Sequence, residues 1–135
     1  MLNNRSMPVS GVIPVLCYLD VVQAASWLCA AFGFRERLAI GDHRIQLHAG
    51  SGAIVVAGGA TTNASATPIS IMVRVEDAHA HCVRAKAHGA TILHEPTDYP
   101  YGERQYSARD PAGYVWTFSQ SIADVDPAAW GGVLK

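Results

Sequence analysis

Ile13-Pro14-Val15-Leu16-Cys17-Tyr18-Leu19 and Ile69-Ser70-Ile71-Met72-Val73-Arg74-Val75 say nearly the same thing twice. The two runs agree in apolar character at every position except the pairs Pro14/Ser70 and Tyr18/Arg74. An acidic residue follows each, Asp20 and Glu76, and then an Ala-rich stretch that closes on a glycine, Gly33 and Gly89. Literal identity between the copies is low, but polarity, turn residues and spacing repeat together. That agreement across levels is how an internal duplication shows itself.

Each copy opens a βαβββ pattern. The β-branched, apolar run at 13–19 reads as a strand, and Asp20 as the N-cap of a helix to about Phe32. Ala24, Ala25, Leu28, Ala31 and Phe32 form its apolar stripe, and Gly33 suits a left-handed C-cap. Strands are expected at about 34–40, 43–49 and 52–58, with turns at Gly41-Asp42 and Gly50-Ser51-Gly52. The scheme restarts with a strand at 69–75, a helix at about 77–88 and a strand near 90–94. A loop at 95–103 and strands near 104–109 and 114–119 complete it. Asp110-Pro111-Ala112-Gly113 fits a type I turn. The fold class is α+β: a flexible tail over 1–9, modules at 10–58 and 68–120, a linker at 59–67 and a C-terminal tail at 121–135.

With 135 residues, 50% of them hydrophobic and 16% charged, the chain is long enough to bury a core without staples. A formal net charge of −1 leaves no electrostatic footprint for nucleic acid or an anionic membrane. No apolar stretch approaches the ~20 residues of a spanning helix. Met1 to Met7 lacks the apolar core of a signal peptide, which points to the cytoplasm. Cys17, Cys29 and Cys82 are odd in number, lack metal-type spacing and read as buried thiols. The six histidines show no ligand spacing, and only His43 is placed to reach a ligand.

Strand alternation separates a core face from a mixed face. Ile69, Ile71, Val73 and Val75 form a uniformly apolar face suited to a covering helix, and Ser70, Met72 and Arg74 form the mixed one. The repeat places Ile13, Val15, Cys17 and Leu19 under the first helix and Pro14, Leu16 and Tyr18 opposite. Simple closure of the Asp110–Gly113 turn puts Tyr106 opposite Thr117 and Arg104 opposite Ser119, on the mixed face. In the first half both faces of 53–58 are apolar. Analogy assigns Ile54 and Val56 to the mixed side, with Ile45, Leu47 and His43 beside them.

The tandem units, with Tyr101-Gly102-Glu103-Arg104-Gln105-Tyr106 and Asp110-Pro111-Ala112-Gly113-Tyr114-Val115-Trp116 through Gln120, resemble the vicinal oxygen chelate superfamily over residues 10–122. That superfamily holds glyoxalase I, extradiol dioxygenases and bleomycin-resistance proteins, and the chain is most similar to small glyoxalase/bleomycin-resistance proteins. The resemblance implies cup-shaped mixed sheets around a central cavity and a homodimer. It also implies metal ligands on the first, fourth, fifth and eighth strands, which here fall on Pro14, Val56, Ser70 and Thr117. Pro and Val cannot coordinate, and neutral hydroxyls are poor ligands for Zn²⁺, Ni²⁺ or Fe²⁺. Neither a metal nor another cofactor is therefore expected.

The resulting site comprises Tyr18, His43, Leu47, Ser70, Arg74, Tyr101, Arg104, Tyr106 and Thr117. In glyoxalase I the position matching Tyr18 carries a basic, substrate-contacting residue, which by resemblance makes Tyr18 and Arg74 pocket-lining. Two functions follow. One is a binding protein that encloses an amphiphilic small organic molecule, antibiotic sequestration being the family precedent. The other is a metal-independent isomerase or lyase acting on a small carbonyl or carboxylate compound. Its base would come from Glu36, Glu103 or His43.

Overall fold

The computed structural model describes residues 2–59 and 68–135. The linker expected at 59–67 lies, apart from Gly59, outside the described residues. The chain divides into two compact units, Met1–Ala64 and Ser65–Lys135.

The first unit runs β1 (Val15–Tyr18), α1 (Val21–Phe32), β2 (Arg35–Ile40), β3 (Arg44–Ala49) and β4 (Gly52–Gly58). Its sheet has the order β1-β4-β3-β2, with β1 parallel to β4 and the other pairs antiparallel. The Asp20 carboxylate accepts from the Gln23 N–H at 3.0 Å and so caps α1, a bond that supplies about 1 kcal/mol. Gly33, at φ 76°, ends it as expected. Leu16, Tyr18, Ile45, Leu47, Ile54 and Val56 are all buried and share one face by register. That face meets α1: a Cβ added at Gly58, Tyr18's partner, would sit 3.7 Å from a Val21 methyl. Val15, by contrast, is 51% exposed and Leu19 82%. The repeat-based assignment of faces in β1 is therefore inverted, with Leu16 and Tyr18 under the helix.

Residues 5–7 hydrogen-bond to the first unit's sheet. Arg37 donates to the carbonyls of Arg5 and Met7, both at 2.9 Å, and Gln46 donates to the Ser6 carbonyl at 2.9 Å. These bonds tie residues 5–7 to the sheet face opposite α1, and Pro8 beside them is buried.

The second unit runs β5 (Ser70–Arg74), α2 (Ala78–Ala87), β6 (Thr91–Tyr99), β7 (Glu103–Arg109) and β8 (Val115–Ser121). Its sheet repeats the topology as β5-β8-β7-β6, again with one parallel pair, β5 with β8. Asp77 caps α2 by accepting from Ala80 N–H at 3.0 Å. The core between α2 and the sheet holds Trp116, Tyr106 and Phe118, all fully buried. Burying each such ring contributes about 1.5–3 kcal/mol. The His81 ring of α2 lies tilted against Phe118, with centroids 4.2 Å apart, and 5.7 Å from Tyr106, which fixes the face these residues occupy.

Much of the segment expected as a loop at 95–103 is strand, since β6 extends to Tyr99. The C-terminal residues fold back on this unit. Ile122 N–H donates to the Gly102 carbonyl at 2.8 Å, and the Trp130 ring lies 5.4 Å from that of Tyr101.

Candidate functional site

The β7–β8 hairpin decides which side chains gather on the face opposite α2. Asp110 N–H bonds to the Tyr114 carbonyl, Gly113 N–H bonds to the Asp110 carbonyl, and Gly113 sits at φ 101°. The connection is a type I turn followed by a left-handed glycine bulge, one residue longer than simple closure. A one-residue slip flips every side chain to the other face. Tyr106 therefore pairs with Phe118, Arg104 with Gln120, Gln105 with Ser119 and Ser107 with Thr117.

Four rows of residues then cross the face opposite α2. Ser70, Val115 and Arg109 form the first; Met72, Thr117 and Ser107 the second. Arg74, Ser119 and Gln105 form the third, and Ser121, Glu103 and Tyr99 the fourth. A directed hydrogen-bond chain runs through the last two rows. Tyr101 OH donates to Gln105 Oε1 at 3.2 Å, and Gln105 Nε2 donates to Ser119 Oγ at 3.0 Å. Ser119 in turn donates to Glu103 Oε1 at 2.7 Å. Arg74 donates to Ser121 Oγ, and Ser107 and Thr117 share a bond at 2.9 Å. Chains of this kind polarise one another and hold their members in one geometry.

The carboxylate at the end of that chain is held ionised. Partial burial pushes the Glu103 carboxyl up, but hydrogen bonds from Ser121 and Ser119 and the charge of Arg74 outweigh it. The net effect places it below the usual carboxylate range. Tyr99 and Tyr101 stack nearly parallel at 5.4 Å beside this chain. The face therefore offers cations at Arg74 and Arg109, one anion at Glu103, a row of hydroxyl and amide groups, and an aromatic border.

Of the expected residues, Ser70, Arg74 and Thr117 lie on this face, and Tyr101 joins it through Gln105. Four others do not. Tyr18 and Leu47 are buried on the α1 face of the first unit. Tyr106 is buried under α2, where its hydroxyl bonds His81 Nδ1; burial pushes that phenol well above its ordinary range. Arg104 shares the α2 face, where it grips Asp98 in a two-pronged ion pair at 2.7 and 3.1 Å. That grip, through its hydrogen bonds first, holds the Asp98 carboxyl below its usual range. His43 is exposed in the three-residue β2–β3 turn. Sequence reasoning placed Ser119 on this face but missed Gln105, Ser107 and Arg109, which a left-handed Gly113 would have brought to light.

The four positions at which the family resemblance implies metal ligands do not fit a divalent ion here. Pro14 offers no side-chain ligand, and its carbonyl accepts from Val55 N–H at 2.9 Å. Val56 is buried on the α1 face, and Ser70 and Thr117 present only neutral hydroxyls, that of Thr117 already bonded to Ser107. Among the described residues, no three His, Cys, Asp or Glu side chains stand close enough to share an ion. A separate half-open pocket of about 240 Å³ lies in the first unit between Pro8, Val9, Arg37, His48 and Ser51. It contains none of the expected site residues. Among the described residues no helix is long and apolar enough to cross a membrane.

Comparison with known proteins agrees with this architecture. The chain is 32% identical to TioX from Micromonospora sp. ML1, covering 87% of this chain and all of that one, with a TM-score of 0.69. A glyoxalase/bleomycin resistance protein/dioxygenase family enzyme from Burkholderia phytofirmans PsJN is 19% identical over 82% of this chain and 97% of its own, at TM-score 0.66. Mb0911c of Mycobacterium bovis is 32% identical over 65 residues, 48% of this chain. That match spans less than half of the curated relative's length, 43%. The model of the Glyoxalase/Bleomycin resistance protein/Dioxygenase superfamily matches residues 14–118. With paired βαβββ units and a match across most of its length, the chain belongs to that superfamily.

Proposed function

We propose that this protein binds an amphiphilic small organic molecule without transforming it, as a metal-independent, cytoplasmic homodimer. The observation that carries this reading is the directed chain from Tyr101 through Gln105 and Ser119 to Glu103. It spends the potential reactive groups on one another and leaves a patterned polar surface with an aromatic border. A general base works best with a pKa near the operating pH. Glu103 is shifted away from it. Antibiotic sequestration is one form such binding takes, although a near-neutral chain is ill suited to a strongly cationic drug.

One observation favours a second reading. Glu103 and Arg74 share a sheet face, so a carboxylate base and a cation for a developing oxyanion stand together. A metal-independent isomerase or lyase would use that pair. The test is native mass spectrometry of the purified protein, followed by a thermal-shift panel of amphiphilic molecules, glycopeptide-type antibiotics and divalent metals. A ligand that stabilises the protein and is recovered with unchanged mass supports binding. Recovery of a rearranged or cleaved compound, or stabilisation by metal alone, overturns it.

A further inference from the structure

Among the described residues, Arg109 stands out by one side-chain atom. Its Nε is the sole buried side-chain nitrogen or oxygen among the described residues without a hydrogen-bond partner. Among the described residues no carboxylate forms an ion pair with Arg109, whereas Arg104 on the same strand is gripped by both oxygens of Asp98. The neighbouring Asp110 is fully occupied elsewhere. One of its oxygens accepts from the N–H groups of Ala112, Gly113 and Tyr114, and the other from Trp116 Nε1. A buried, unpaired donor on a charged group costs more than a neutral one, so such a group is expected to meet an acceptor when the protein works.

Its place in the sheet says what kind of acceptor. Arg109 lies in one row with Ser70 and Val115, beside the hydroxyl pair Ser107–Thr117. Glu103 lies six residues along the same strand, about 20 Å away, and is itself balanced by Arg74. No carboxylate of this row competes for the guanidinium. The face thus mixes polar groups with Val115 and Met72, and carries the Arg109 guanidinium, its Nε unpartnered, at one end and the stacked tyrosines at the other.

Resting on the binding reading above, we propose that the Arg109 end of this face receives an acidic head group, a carboxylate, of the amphiphile. One guanidinium balances one negative charge in a two-pronged bond, and the Ser70, Ser107 and Thr117 hydroxyls surround it. Nothing covalent is required.

The test follows the Arg109 Nε–H resonance by ¹H–¹⁵N NMR in the full chain while propionate is added, with sodium chloride at equal ionic strength as control. A saturable shift of Arg109, absent for Arg104 and absent with chloride, supports the site. An unmoved Arg109 resonance, or an equal shift with chloride, overturns it. A second arm compares octanoate with its neutral amide, octanamide, on wild type, Arg109→Gln and Arg109→Lys. The acid should bind wild type about tenfold more tightly than the amide, a preference that Arg109→Gln abolishes and Arg109→Lys partly keeps. Equal affinity of wild type for acid and amide overturns the carboxylate assignment while leaving amphiphile binding intact. A propionate shift with no binding of any amphiphile breaks the broader reading and leaves the anion site standing.

Discussion

Replacing Ser119 by Ala interrupts the hydrogen-bond chain at its centre. Ser119 is 3% exposed, accepts from Gln105 Nε2 at 3.0 Å and donates to Glu103 Oε1 at 2.7 Å. The variant loses one neutral bond, about 1 kcal/mol, and one bond to a charged acceptor, about 1.5–3 kcal/mol. Glu103 retains Ser121 and solvent, which recovers part of the second contribution. A net loss of about 2 kcal/mol is expected, a fall in melting temperature of roughly 8 °C for a chain of this size. The change also has a pH signature. A carboxyl whose folded pKa lies below its unfolded value stabilises the fold above the unfolded pKa, and that contribution disappears as pH falls through the folded one. Glu103 is such a group, so removing a donor raises its folded pKa and flattens the acid limb of stability against pH. Urea melts between about pH 7 and pH 3, with NMR titration of the Glu103 carboxyl, measure both. If the variant melts within ~0.5 kcal/mol of wild type and Glu103 titrates unchanged, the chain does not organise this face.

Asp110→Ala removes the acceptor for three backbone N–H groups and for Trp116 Nε1, and should cost about 3 kcal/mol in a urea melt. A variant within 1 kcal/mol of wild type would show that the Gly113 bulge holds its register without that carboxylate. Gly102→Ala places a methyl 2.4 Å from the Ala123 carbonyl oxygen at φ +84°, so the C-terminal segment must shift. Emission from Trp130 should move to the red and stability fall by about 2 kcal/mol; an unchanged spectrum and melting point would refute this. Tyr106→Phe strips the hydroxyl from His81 Nδ1 inside the core. It should destabilise by about 1–2 kcal/mol yet leave amphiphile affinity unchanged, whereas a loss of affinity would return Tyr106 to the ligand site.

The duplicated strand–helix openings were legible because caps and apolar runs are local signals. Asp20, Gly33 and the apolar face of β5 stand where the pattern places them. The faces of β1 and β4 were not, since Val15, Leu16, Val55 and Val56 are equally apolar; burial separates Val15 from Leu16, but Val55 and Val56 are both buried and only register assigns their faces. The repeat aligns Glu76 with Asp20, yet the N-cap of α2 is Asp77, whose shorter carboxylate accepts from Ala80 N–H. The polar run Glu95 to Tyr99, with Pro96 inside it, reads as loop, yet it belongs to an edge strand of its sheet. Edges tolerate proline, and two register shifts, at Ile92/His94 and His94/Thr97, absorb it. Gly113 had the largest consequence. Counting it as the fourth residue of a plain turn moved Arg104 and Tyr106 onto the open face and hid Gln105, Ser107 and Arg109 under the helix. A left-handed glycine after a type I turn reverses both assignments.

Amide chemical-shift mapping with an amphiphile from the thermal-shift panel, followed by mass analysis of the extracted compound, tests the account most directly. Shifts gathered on Arg74, Gln105, Ser107, Arg109, Thr117 and Ser119, with the compound recovered unaltered, are the predicted result. Shifts centred on Arg104 and the α2 side, or a compound changed in mass, would contradict it.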